Sequence, residues 1–552
     1  MKRFNQRRGK HIFVFLLSLT IVGGFLRFYQ ITKNPISLSI DEVAFAYNAF
    51  SILKTGRDEY GKFLPLSFKS TGDYKNPVPI YTMVPSIAIF GLNEFSIRLP
   101  TALIATLSIP VFFLLFLEIT GSQVISLSAV LLLTISPWHI YYSRYVSDHL
   151  IAATLVVLGV LSFLRMLKTG RWFWSIGSAI FLILSMYTYY AERLFIPLFF
   201  LALFILKKRD LVERLKQVKL FIAVCAVLLF PLIFSTFFGP DRIRAQMTWI
   251  GNDVEFVRNV AVKPLKNIPF LTSDNLLLVF FGARKYLNYF DPGFLFYSGL
   301  NMTKSGSYGL GVLYLFETPF FILGIITLIR KKIKNKGLII AWILVGLIPA
   351  SLTNNEQHPG RTFIILPMII LISAIGVVEL FRLIRTYLNQ YLRNIIFVAF
   401  SIIIIWNLIQ AFLIYSVHFP RQKGENFMEG TKETVEFALV NKNKYKEIVF
   451  DPYRGIEAPY IVSIPHMYIL FYSQYNPAIY QQEEKIRPDG SYGFDKFTIR
   501  RIDWRTDRLK TDTLFIGSPW SLPEKDIKNQ EILKRVYLSG GQLAFLIVSP
   551  VQ

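Results

Sequence analysis

Cysteine is almost absent: Cys225 stands alone in 552 residues, so no disulfide can form within the chain. Metal signatures are lacking as well. The six histidines are scattered, there is no H-E-x-x-H, and no cysteine pair exists to bind zinc. A nucleotide loop is excluded too. The stretch "GRDEYGKF" at 56–63 fits G-x-x-x-x-G-K but ends in Phe63, where that loop needs Ser or Thr. Internal repeats and low-complexity tracts are missing, and the centres of the apolar runs carry almost no charge. A secondary transporter or flippase places ionisable groups near the bilayer midplane, often within inverted repeats, so that class ranks well behind the reading developed below.

What the chain has in excess is apolar surface. It is 53% hydrophobic and 16% aromatic, with a mean hydropathy of +0.43. Eleven runs read as membrane spans: 12–29, 97–117, 124–140, 149–167, 172–190, 194–206, 220–238, 310–329, 337–352, 362–380 and 395–415. The run at 194–206 is short. The basic start "MKRFNQRRGK" precedes an apolar run with no small-residue cleavage site after it, which predicts an uncleaved first span and a cytoplasmic N-terminus. The stretch "PVPIYTMVPSIAIFG" at 77–91 has three prolines in 15 residues and reads as a surface or re-entrant helix. That reading leaves 22 Lys and Arg in the inner segments. A crossing there would move every later basic cluster outside, against the positive-inside bias. The net charge of +24 therefore follows from topology, not from nucleic-acid binding.

Two outer loops are long, 30–96 and 239–309. The polar segment 416–552 is expected outside as a small α/β domain, so the chain divides into a membrane domain at 1–415 and an extracytoplasmic domain at 416–552. In the latter, "TKETVEFAL" and "MYILFYSQY" read as helices and "EIVF", "DTLFIG" and "LAFLIV" as strands.

Charged groups at the outer surface are the candidates for chemistry. In "SLSIDEVAFAYNAFSIL", Ser39 and Glu42 fit a capping box, and Asp41 complements the dipole of the helix they open. A cap alone accounts for these residues. It also fixes a carboxylate rigidly at the water–lipid boundary. Lys75 in "DYKNPVPIY" is either a snorkelling lysine or an anion ligand. Short outer loops hold Arg144 and Asp148, Glu192 and Arg193, and His358 and Arg361. Three arginines on the face where they are disfavoured point to a bound anion, because arginine matches phosphate oxygens bidentately. Salt bridges to Asp148, Glu192 and Glu356 are the plainer alternative. "NMT" at Asn301 is a sequon, and "DPYRGIEAPY" at 451–460 reads as a turn or a binding loop.

The ordered set of a first span, a D-E pair opening a surface helix, K-x-P, "EFSIRLPTAL" and "SPWHIYYSRYVSDH" resembles the GT-C glycosyltransferases. Most similar is the clan of protein O-mannosyltransferases and aminoarabinose transferases, with its bacterial RgtA/B/C/D-like members. The likeness is strong over 12–167, rests on topology and pieces such as "HPGRTFIILP" over 172–415, and is weak beyond. It implies a multi-pass enzyme of the cell membrane that transfers sugar from a polyprenyl-phosphate donor, with inversion, to a lipid, glycan or protein hydroxyl. Asp41 matches the catalytic acid residue, with Glu42 as its partner, and Asp148 matches an assisting acid. Lys75 matches the lysine on the lipid phosphate, although Asn76 replaces the first of two prolines common there. A basic residue of a later outer loop binds phosphate in that family; Arg361, alone or with His358, is the candidate here, and Arg144 and Arg193 are further cations. Metal dependence varies in that family, so a divalent cation is neither required nor excluded. A ligase or polymerase of surface polysaccharide, using a pyrophosphate carrier, is the alternative.

Overall fold

The computed structural model describes residues 2–70, 72–239, 242, 248–252, 274–302, 309–354, 357–454 and 461–550. It divides into two compact units. One comprises Met1–Tyr29, Thr101–Asn301 and Gly306–Ile414; the other comprises Gln30–Pro100, Met302–Ser305 and Tyr415–Gln552. The polar C-terminal segment is thus part of a larger unit that also contains Gln30–Pro100.

The first unit is helical. Its opening helix is α1 (Lys2–Phe28). Among the described residues of the whole chain, six helices are long and apolar enough to cross a membrane: Gly9–Phe28, Glu94–Thr120, Asp148–Thr169, Leu215–Thr236, Phe363–Tyr387 and Gln390–Phe427. A seventh arises if Gln123–Ile135 and Pro137–Ser143, bent by 53°, count as one span. The other four runs read as spans fall on shorter helices, Trp172–Met186, Glu192–Leu206, Thr318–Arg330 and Lys336–Gly346. A 15-residue helix rises only about 22 Å, less than the roughly 30 Å of a hydrocarbon core.

In the second unit, α2 (Ile40–Thr55) carries the acidic pair. Every residue from Glu42 to Ile52 is buried, so the helix packs on all sides. A two-stranded hairpin follows, β1 (Phe68–Ser70) and β2 (Asp73–Lys75), pairing Phe68 with Lys75. Next comes α3 (Pro77–Phe90), whose 14 residues span about 21 Å and match the short helix expected there. The helix α4 (Glu94–Thr120) then leads out of this unit.

The C-terminal part holds β3 (Glu447–Phe450), the small pair β4 (Tyr453–Arg454) and β5 (Ile461–Val462), then β6 (Tyr492–Phe494), β7 (Phe497–Ile499), β8 (Thr513–Gly517), β9 (Ile532–Tyr537) and β10 (Leu543–Val548). Six strands form one mixed sheet in the order β6-β7-β3-β8-β10-β9, with β3 parallel to both neighbours. Val449, Phe515, Leu546 and Val548 pack with Trp504 on one face as its core. All five elements read in this segment are present.

Candidate active site

The adjacent acids of α2 face different surroundings. Glu42 is fully buried and Ser39 closes the capping box: the Ser39 amide donates to Glu42 Oε2 at 2.9 Å and the Glu42 amide to Ser39 Oγ at 3.3 Å. The same carboxylate meets Arg98, also 0% exposed, whose Nε donates to Glu42 Oε1 at 2.8 Å. Arg98 donates further to the carbonyls of Ile31, Pro35 and Ser37. Glu42 therefore fastens the start of α2 to the chain that leads into it. It does not face solvent.

Asp41 has a side chain 62% exposed. The hairpin presents Lys75 to it: Lys75 Nζ lies 2.5 Å from Asp41 Oδ1 and 3.1 Å from Asp73 Oδ2, with the stem buried and the ammonium 5.9 Å from the Phe45 ring centre. The result is an exposed carboxylate held against a cation that a second carboxylate steadies. Asp73 escaped the sequence reading because its partnership depends on the hairpin register.

A second cluster lies within the membrane unit. Asp148 opens α7 (Asp148–Thr169), and its Oδ1 accepts from the His149 amide and lies 2.8 Å from His149 Nδ1. The His149 ring sits 4.3 Å from that of Tyr189 and stacks with that of His358 at 6.1 Å. Gly360 makes this possible, since a Cβ there would lie 2.6 Å from His149 Nε2 and 2.9 Å from His358 Cε1. Burial, then the neighbouring His149 and Arg361, push His358 down to about 3, so it is neutral and offers hydrogen bonds rather than charge. The amide of His358 donates to the Tyr289 hydroxyl. Arg361 Nη1 is buried without a hydrogen-bond partner among the described residues. Asp148, His149, His358 and the 358–361 turn thus lie together.

Two expected ligands are engaged elsewhere. Arg144, 3% exposed, donates to the carbonyls of Leu26 and Tyr29 at the end of α1. Arg27 reciprocates. It donates to the carbonyls of Thr134 and Leu133, at the end of α5 (Gln123–Ile135), and lies 2.8 Å from His139 Nδ1 in α6 (Pro137–Ser143). Pro137 has no N–H to give the Leu133 carbonyl, which accepts from the Ser136 amide instead and from Arg27 besides. Arg193 stacks 4.2 Å over Tyr190 and donates to Met186 and Thr236. Each of these guanidiniums is held by protein partners. Glu356 and residues 455–460 lie outside the described residues, as does Thr303 of the sequon. Arg27 and Arg98 were the residues missed. The signal was present, because an arginine inside an apolar run demands a partner.

Among the described residues no group of three or more His, Cys, Asp or Glu is arranged to hold a metal ion. Between Asp41 and Asp73 the positive charge is supplied by Lys75.

Residues 74–234 match the family of dolichyl-phosphate-mannose-protein mannosyltransferases. Among solved structures the chain is similar to ArnT from Cupriavidus metallidurans bound to undecaprenyl phosphate, with a TM-score of 0.56 at 11% identity over 97% of both chains. The chain has the GT-C glycosyltransferase fold. The apo state of the same ArnT aligns with a TM-score of 0.52 at 12% identity over 98% of both chains. No curated protein matches this chain by sequence. The GT-C fold fits the helical unit, the surface helices of the first loop and the C-terminal sheet alike.

Proposed function

We propose that this GT-C protein transfers a sugar from a polyprenyl-phosphate donor to an acceptor hydroxyl at the outer face of the cell membrane, inverting the anomeric centre. The observation that carries this reading is the Asp41–Lys75–Asp73 arrangement: a fixed, exposed carboxylate touching a cation. Support for the donor class comes from ArnT, whose structure holds undecaprenyl phosphate.

In this scheme the acceptor oxygen attacks the anomeric carbon as its proton passes to Asp41. The bond from that carbon to the phosphate oxygen breaks, and polyprenyl phosphate departs as an anion. A stable anion needs little protonation, so fixed positive charge suffices; Lys75 and Arg361 are assigned to the phosphate. Such preorganised charge is worth several kcal/mol in a dry site, and a positioned base adds about 10²–10⁴-fold. Asp148 is assigned an assisting role through the His149–His358 cluster. The topology proposed with it has a cytoplasmic N-terminus and an extracytoplasmic C-terminal segment.

The test is transfer by purified protein in detergent with a synthetic polyprenyl-phosphate sugar. Asp41→Asn should lower kcat by about 10²–10⁴-fold while the donor KM stays within a factor of about three. Unchanged turnover would remove Asp41 from the chemistry. Turnover with a polyprenyl-pyrophosphate glycan alone would favour a polysaccharide ligase.

A further inference from the structure

The C-terminal segment holds α2 at both of its ends. Ahead of the N-cap, the Tyr468 hydroxyl donates to the Leu38 carbonyl at 2.8 Å. Midway, the Tyr47 hydroxyl donates to the Tyr475 carbonyl at 3.1 Å, and the Tyr47 ring meets Tyr480 edge-on at 5.8 Å. At the far end, Gln481 Nε2 lies 3.0 Å from Ser51 Oγ and Thr55 Oγ1 and 2.8 Å from the Asp58 carbonyl. Tyr468 and Tyr480 stand on the helices Pro465–Tyr472 and Pro477–Gln482 that lie against α2. Tyr47 and Tyr468 are 0% exposed and Tyr480 1%.

From these contacts we infer that the C-terminal segment is a strap that fixes α2, with Tyr468 and Gln481 as positioning residues for Asp41. The inference rests on the role proposed for Asp41. Packing along Glu42–Ile52 seats this 16-residue helix, about 24 Å long, and polar contacts at its two ends fix its register. The capping box and Arg98 tie only the start. Gln481 ties the last turn, so the two together set the helix register and hence where the Asp41 carboxylate points. That precision matters because a misplacement of about 1 Å can cost 10²-fold in rate. The hydroxyl of Tyr468 and the amide of Gln481 add direction to what apolar packing alone would leave adjustable.

The experiment uses the full chain in detergent with the near-isosteric changes Tyr468→Phe and Gln481→Leu, singly and together. Thermal midpoints identify any variant that fails to fold, and the conservative Gln481→Glu provides a second route if Leu does. The expected result is a kcat loss of about tenfold for the pair, consistent with a displacement well under 1 Å, with both KM values within twofold. Amide exchange over residues 43–52 should quicken while that over α7 stays unchanged. A rise in acceptor KM at constant kcat would overturn the inference and make the segment an acceptor reader. Unchanged kcat and exchange would overturn it in favour of plain packing. In an Asp41→Asn background the pair should cause no further kcat loss. A full tenfold further loss would refute the link to Asp41, and the exchange result would still report on the strap.

Discussion

Replacing Glu42 by Gln should destabilise the second unit far more than replacing its neighbour Asp41. Both oxygens of the Glu42 carboxylate accept: Oε1 from Arg98 Nε, and Oε2 from the Ser39 amide and from Arg98 Nη2. A carboxamide substitutes a donor for one of these acceptors, so N–H faces N–H in a place with no solvent. It also leaves the Arg98 cation buried without its counter-charge. Breaking one partner of such a pair costs about 3–5 kcal/mol. Asp41 is mostly exposed, so Asn there should change stability by less than about 1 kcal/mol. The assay is urea unfolding of detergent-solubilised protein, followed by limited proteolysis within the second unit. Glu42→Gln should lower the midpoint clearly and Asp41→Asn should not. The double change Glu42→Met with Arg98→Met should recover part of the loss, because no charge then remains buried. A Glu42→Gln protein with a native midpoint but no transfer activity would refute the reasoning and return Glu42 to the chemistry.

Glu59 provides a pH test. Burial raises its carboxyl from 4.5 to about 7. Between those values the folded form holds a proton that the unfolded form has released, so its contribution is full below about pH 4.5, falls as pH rises, and is lost above about 7. The loss is about 3 kcal/mol, and Glu59→Gln should flatten the midpoint between pH 5 and 8. Gly360→Ala should push the His149 and His358 rings apart and raise the donor KM, with kcat changed less, in steady-state transfer. Arg144→Met should strand the Leu26 and Tyr29 carbonyls and lower the thermal midpoint, with the donor KM unchanged; a raised donor KM alone would restore Arg144 as a phosphate ligand.

Local features were legible before any coordinates. The capping box at Ser39 and Glu42 needs only a spacing of three residues, and helices such as Thr431–Asn441 announce themselves by composition. Long-range partnerships were not. Arg98 and Glu42 are 56 positions apart, and Tyr468 and Leu38 are 430 apart. Strands of three residues, as at Tyr492–Phe494 and Phe497–Ile499, are too short for an alternation to register. Hydropathy sums apolar residues without registering where a helix stops or bends, so runs such as 172–190 and 337–352 do not reveal that their helices end at Met186 and Ser351.

The crossed arginines Arg27 and Arg144 carry a mechanical consequence. Each grips the helix end belonging to the other's segment, which couples α1 to the bent α5–α6 pair as one lever. A bilayer of different thickness that tilts α1 would transmit that motion to the start of α7, where Asp148 sits, instead of letting the bend absorb it. Lipid thickness thereby becomes an input to the geometry around that carboxylate.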